Sequence, residues 1–273
     1  MVDRRDDVAL RMLTEKVLRE RGFGCANYKE RCLRRRIAVR MRARGVHTYE
    51  DYARLLDRDA LEYDRLLDAL TINVTRLFRN REVFDAIAAR VVPELWTSPA
   101  PRLRVWSAGC SSGEEVYSLA AIVHRHGVAT GTLGALGRVE ILGTDVHGPS
   151  LEAAAEGAYP AVAFEEVPPE VRAAYFAHEG PPYRVVPALR RLVRFAPHDL
   201  LREAPPGTGF GLIVCRNVLI YFDRETQERL FEQFYTALAP GGFLVLGMVE
   251  TLLGEARRRF ATVDARTRIF RRP

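Results

Sequence analysis

The chain has 273 residues, with 41 Lys and Arg against 35 Asp and Glu and 48% hydrophobic residues. That length accommodates one large or two modest domains, and the balance of apolar and charged residues excludes a disordered or membrane-embedded chain. No apolar run approaches the roughly 18–20 residues a bilayer demands, MVDRRDDVAL holds no apolar signal core, and the four cysteines (25, 32, 110, 215) show no CxxC spacing, so a cytoplasmic protein without disulfides or a zinc site is expected.

The net charge of +6 lies in the first third. Residues 1–80 hold 19 basic against 13 acidic side chains, and the remainder holds 22 of each. This third is therefore the part expected to meet an acidic partner. It reads as all-helical. Helices are expected over about 7–21, ending at Gly22, and 28–44, ending at Gly45, then over 49–57 after Thr48 and over 60–70. The second is arginine-rich: residues 29–44 carry eight basic side chains and one acid, Glu30. Leu33, Ile37 and Met41 form an inward stripe, and Arg36 and Arg40 form another row. The predicted boundary is 1–70 for this helical domain and 71–273 for the rest. Residues 71–90 connect the two, with helical spacing at 81–90.

From Leu103 the texture alternates between apolar runs and helical segments. The runs are LRVWS (103–107), VEILGTD (139–145), LVRF (192–195), FGLIVC (210–215) and FLVLGM (243–248). Helices are expected at 114–126, 149–156 and 224–238, the last capped by Asp223. This pattern predicts a parallel sheet covered on both faces, with ligands at the carboxyl ends of its strands. His124 and His126, two apart, do not share a helix face and read as surface residues. Residues 175–195 interrupt the alternation with a turn between two short β-like runs, a small antiparallel insertion.

The first βα junction is SAGCSSGEE, 107–115. Its glycines, Gly109 and Gly113, are spaced GxxxG rather than GxGxxG, a spacing that also suits a structural corner. Asp145 ends the next run, where an acid receives ribose hydroxyls or caps a turn. Glu114 and Glu115 open the helix where a dinucleotide would place its pyrophosphate. An acid there repels phosphate but suits the ammonium of S-adenosylmethionine. The helix dipole alone accounts for one of the pair.

Four ordered segments, TINVTRLFR (71–79), VWSAGCSSGEEVYSLA (105–120), GTDVH (143–147) and CRNVLIYFD (215–223), together with the basic segment 31–45, resemble the CheR family of chemotaxis receptor methyltransferases over nearly the whole chain. The resemblance implies an α/β, Rossmann-like S-adenosylmethionine-dependent methyltransferase domain with a small β-subdomain insertion, preceded by an all-α domain. It implies methyl transfer to receptor glutamates, leaving S-adenosylhomocysteine. It places Asn73, Thr75, Arg79, Gly109, Glu114, Asp145, Asp199, Leu200, Arg216 and Asn217 at the cofactor. By the same resemblance Arg79 and Tyr221 would stand at the reaction centre. Arg34, Arg35, Arg36, Arg40, Arg42 and Arg44 are expected to dock the acidic helical bundle of the receptor, a pattern that a solvated charged helix face would also produce. Asp199 departs from the asparagine frequent in the family, and Val116 from its proline. No metal, nucleic acid or membrane insertion is implied, and a monomer is expected. The 176–184 turn, short and with two prolines, suits no tether to a receptor C-terminal pentapeptide. The rival readings are a nucleic-acid methyltransferase, an NAD-dependent oxidoreductase and a non-catalytic cofactor-sensing or scaffold protein of the same fold.

Overall fold

The computed structural model describes residues 4–71, 75–177 and 180–273. Contacts divide the chain into two compact units. The first is Met1–Ile72 with Tyr221–Thr226, and the second is Asn73–Ile220 with Gln227–Pro273.

The first unit contains α1 (Arg4–Arg21), α2 (Glu30–Ala43), α3 (Tyr49–Leu56) and α4 (Ala60–Thr71). Gly22 and Gly45, both at positive φ, follow α1 and α2 as the left-handed residues that release a helix end. Thr48 caps α3, its hydroxyl accepting the Asp51 amide at 3.1 Å. Leu13, Val17, Leu33, Ile37, Met41, Tyr52 and Leu66 fill the core. Residues 221–226 join this unit although they follow a strand of the other. The Lys29 amide donates to the Tyr221 carbonyl at 2.8 Å, and Tyr28 packs edge-on against Phe222.

The second unit opens with α5 (Arg81–Ala86), which passes through a π-helical turn (Ile87–Val91) into α6 (Val92–Thr97). Then follow β1 (Leu103–Ala108), α7 (Glu114–Ala129), β2 (Val139–Asp145), α8 (Gly148–Glu156), β3 (Ala158–Tyr159), α9 (Pro169–Tyr175), β4 (Tyr183–Arg184) and α10 (Pro187–Arg190). The chain ends with β5 (Val193–Pro197), β6 (Phe210–Cys215), α11 (Arg224–Ala237), β7 (Leu238–Leu246), α12 (Ala256–Arg259), β8 (Ala261–Asp264) and β9 (Ile269–Arg271). The first turn of α11 groups with the N-terminal unit.

The large sheet runs β5-β2-β1-β6-β7-β9-β8. Its first five strands are parallel, and β9 and β8 add antiparallel. The five apolar runs thus pair parallel as expected, and an antiparallel hairpin added at one edge makes the sheet mixed. The edge hairpin β8–β9 is short and partly polar, so no apolar run announces it. Leaving β1, the chain winds outward through β2 and β5 and then returns to β6. This reversal puts the topological switch point between β1 and β6, where such sheets bind ligands.

A separate antiparallel pair joins β3 to β4, and Phe176 bridges Val185 on the other side. Within 175–195 the structure therefore keeps the strand at 183–185 and gives Val193–Pro197 to the large sheet, where it pairs residue by residue with Ile141–Asp145. His124 is half-buried rather than on the surface, its Nδ1 3.0 Å from the Tyr175 hydroxyl.

Candidate cofactor and docking sites

The loop after β1 is built by its neighbours. The Gly109 and Cys110 amides both donate to the Thr144 carbonyl, at 2.8 and 2.9 Å. Gly109 has φ +78°, and a Cβ there would stand 2.6 Å from Val218 Cγ2, so only glycine lets the loop press against the segment after β6. Asp145 ties three strand ends together. Its Oδ2 accepts the Ser111 amide at 2.8 Å, its Oδ1 accepts the His147 amide at 3.0 Å, and its carbonyl accepts the His198 amide at 3.0 Å. A carboxylate has about four acceptor sites, so both oxygens keep capacity for ribose hydroxyls. Asp145→Ala is expected to weaken S-adenosylhomocysteine binding at least about tenfold, about 1.4 kcal/mol. Calorimetry on the folded variant checks it, and unchanged affinity removes Asp145 from the site.

The two acids of the loop have different surroundings. Glu115 accepts the Ser107 hydroxyl at 2.8 Å and faces the Arg216 guanidinium at 3.3 Å. Glu114 is 6% exposed and accepts the Ser112 hydroxyl at 2.8 Å; no cation stands against it among the described residues. Burial raises both carboxyls, and for Glu115 the Arg216 charge opposes that rise. Beside them the Ser111 hydroxyl is buried without a hydrogen-bond partner, on a residue held at φ +49°.

These features fit S-adenosylmethionine. A buried carboxylate lacking a cation suits its ammonium, the orphaned Ser111 hydroxyl offers a further polar contact, and no phosphate has to approach Glu114. Among the described residues no cluster of His, Cys, Asp or Glu would hold a metal ion, and no helix is long and apolar enough to cross a membrane.

Other expected residues are placed as follows. Arg79 lies between Phe78 and Asn80, both at positive φ. Thr75 is half-buried just before that turn, and Asn73 lies outside the described residues. Leu200 is buried. The Asp199 carboxylate turns back on its own loop, accepting the Leu201 amide at 2.8 Å and facing Arg202 at 3.7 Å. The Arg216 side chain is 2% exposed, and its guanidinium is committed to Glu115, the Arg79 carbonyl and Asn80. Tyr221 belongs to the N-terminal unit, with the Arg36 guanidinium 5.0 Å from its ring centroid.

Glu250 escaped the sequence reading. It is buried beyond β7 and accepts the amides of Gly247 at 2.6 Å, Asn217 at 3.0 Å and Ile220 at 3.2 Å. It holds Asn217 at φ +60°. The only sequence signal is a lone acid shortly after an apolar strand.

In the N-terminal unit, most of the arginines expected to dock a partner face inward or sideways. Arg40 grips Glu62, itself 0% exposed, through Nη2 at 2.6 Å and Nε at 3.0 Å. Arg36 donates to the Ala69 carbonyl at 2.6 Å, Arg34 pairs with Asp7 and Glu30, and Arg44 pairs with Asp59 at 2.7 Å. Arg36 and Arg40 share a row because that row packs on α4. Arg35 and Arg42 are exposed without ion pairs among the described residues, and Arg31 joins them one turn earlier along α2.

Comparison with known proteins agrees with both units. The model of the CheR methyltransferase S-adenosylmethionine-binding domain matches residues 73–269, and that of the CheR methyltransferase all-alpha domain matches residues 9–71. The chemotaxis protein methyltransferase of Listeria monocytogenes is 38% identical over 251 residues, covering 92% of this chain and 93% of the relative. Chemotaxis protein methyltransferase 1 of Pseudomonas aeruginosa is 39% identical over 193 residues, covering 69% and 70%. The chemotaxis protein methyltransferase of Klebsiella aerogenes is 33% identical over 252 residues, covering 89% and 83%.

Proposed function

The chain belongs to the CheR methyltransferase family and is an S-adenosylmethionine-dependent methyltransferase; on that premise we propose that it methylates glutamate carboxylates on the helical bundle of chemotaxis receptors, giving methyl esters and S-adenosylhomocysteine. The observation that carries the reading is the pair of acids on either side of the loop after β1, with Asp145 at the end of β2 offering acceptor capacity for a ribose and buried Glu114 lacking a cation among the described residues.

S-adenosylmethionine supplies an electrophilic methyl group on a sulfonium. Glu114 holds its ammonium and Asp145 its ribose. The Gly109 loop, Thr75, Asn73, Leu200 and the backbone at Arg216–Asn217 complete the pocket, and the Asp199 turn supports Leu200. A glutamate with its ordinary pKa near 4.3 is already ionised at neutral pH, so no general base is required. The chain therefore works by positioning. Arg79 and Tyr221 orient the acceptor carboxylate in line with the methyl group. They do so without a tight ion pair that would stabilise the ground state.

Receptor docking rests on α2, now through Arg31, Arg35 and Arg42. Reversing all three to Glu is expected to lower methylation of an acidic receptor fragment at least about tenfold at low salt, with the difference shrinking as salt screens the charges. Cofactor affinity should not move, and equal methylation at low salt overturns the assignment. A peptide tether is not expected. The β4 segment is already bonded on both sides, Val185 to Gly157 and Arg184 to Ala177, and the neighbouring Pro181 and Pro182 have no amide donors. The enzyme acts in the cytoplasm as a monomer. The direct test is incubation with labelled S-adenosylmethionine and receptor cytoplasmic fragments. Base-labile label on the fragment supports the reading, and its absence across fragments overturns it.

A further inference from the structure

The second acid of the loop, Glu115, is fixed by two partners, and its connections lead to Arg79. Its carboxylate binds the Ser107 hydroxyl and the Arg216 guanidinium. Arg216 Nη2 then donates to the Arg79 carbonyl at 2.9 Å and to Asn80 Oδ1 at 3.0 Å, while its guanidinium lies 5.2 Å from the Phe84 ring centroid. From the same helix, the Ser118 hydroxyl accepts the Phe78 amide at 2.9 Å and donates to the Glu114 carbonyl at 2.6 Å. Both residues flanking Arg79 are thus fixed from α7 and from the end of β6.

Those flanks are strained. Phe78 has φ +56° and Asn80 φ +59°. Asparagine tolerates this region, but a phenylalanine there is an outlier that persists only where the surroundings impose it. Two such residues around one arginine set the direction in which its side chain leaves the backbone. An ordinary turn would not require a buried guanidinium with three separate acceptors.

We propose that Glu115, Arg216 and Ser118 form a buried clamp that aims Arg79, making them positioning residues for methyl transfer. The proposal rests on the reading of Arg79 as the group that orients the acceptor carboxylate. It gives the second of the two adjacent acids a job that the helix dipole does not account for: holding the arginine through Arg216. It also assigns Arg216 to the clamp through its side chain, leaving only its backbone to the pocket.

The test is a double-mutant cycle between Arg216→Lys and Arg79→Ala, read as turnover on a receptor cytoplasmic fragment and as S-adenosylhomocysteine affinity. Lysine keeps the charge but loses the planar fork that reaches several acceptors. Alone, Arg216→Lys is expected to lower kcat about 10- to 100-fold while affinity stays within about threefold. In the Arg79→Ala background it should cost less than about threefold more, because nothing remains to aim. In the protein without ligand, amide hydrogen exchange at residues 78–82 should rise at least about tenfold. Equal losses in both backgrounds, or unchanged exchange, overturn the clamp while leaving the role of Arg79 standing. Wild-type turnover by Arg79→Ala overturns the role of Arg79 and the clamp with it. Should Arg216→Lys not fold, Ser118→Ala, which removes the acceptor of the Phe78 amide together with a hydroxyl bond to the Glu114 carbonyl, runs the same cycle against the same outcomes.

Discussion

Replacing Arg40 with alanine is expected to cost about 3–5 kcal/mol of folding stability, the range for stranding one partner of a buried ion pair. Glu62 is completely buried, and its two oxygens are met by Arg40 and by the Tyr52 hydroxyl at 2.8 Å. Burial alone would push the Glu62 carboxyl up, but the hydrogen bonds from Arg40 and Tyr52, with the charges of Arg40 and Arg44, hold it below its ordinary value. A depressed carboxyl contributes stability above its unfolded pKa and loses it as pH falls through the folded pKa. The Arg40→Ala defect should therefore be full at neutral pH and shrink in acid. Glu62→Gln should cost less, and Arg40→Ala with Glu62→Gln should recover part of the loss, because no charge is left buried. Both tryptophans, Trp96 and Trp106, lie in the second unit. Urea unfolding followed by far-UV circular dichroism, with tryptophan fluorescence recorded beside it, measures the loss. A loss below about 1 kcal/mol, the value of an exposed pair, would reduce Arg40 to a surface arginine.

Arg40 also shows why parts of the chain resist reading. A helical row of arginines beside an apolar stripe looks solvent-facing, and no one-dimensional pattern reveals that α4 offers it a buried acid. Glu62 is disguised in the same way, as one acid in a helix with several. The strands were easier, because a buried parallel strand must be an almost continuous apolar run, and FGLIVC and FLVLGM leave no other face for water. The places of Asp145 and Glu114 in the fold were legible because the end of an apolar run and the start of helical spacing mark a strand end and a helix start. Tyr221 was placed by its neighbours in the motif. Yet the contacts of residues 221–226 lie with helices almost two hundred residues earlier, a long-range pairing that composition does not encode. Glu250 needed the fold as well, since three amides from two separate loops converge on it only once β6 and β7 are paired.

Glu114→Gln should weaken S-adenosylmethionine binding about 10- to 100-fold, corresponding to a charge-assisted hydrogen bond of about 1.5–3 kcal/mol. Glutamine keeps the size and the Ser112 contact, so the change isolates the charge. The ammonium binds the ionised carboxylate, and burial raises the Glu114 carboxyl above its ordinary value in the ligand-free protein. Wild-type affinity should therefore rise with pH until it passes the raised carboxyl value of the ligand-free protein and the carboxylate is fully ionised. The glutamine variant should lose this part of the slope. Glu115 and Glu250 are also raised by burial, but both accept fixed partners from the chain, and any slope they contribute should persist in the variant. A second ligand separates charge recognition from damage to the pocket. Methylthioadenosine has the adenine, ribose and sulfur without the amino-acid end, so it should bind wild type and Glu114→Gln alike. Calorimetry with both ligands across pH decides the matter. If the variant loses affinity for both equally, Glu114 shapes the loop and the ammonium is held elsewhere; if it loses affinity for neither, the buried carboxylate has no part in binding.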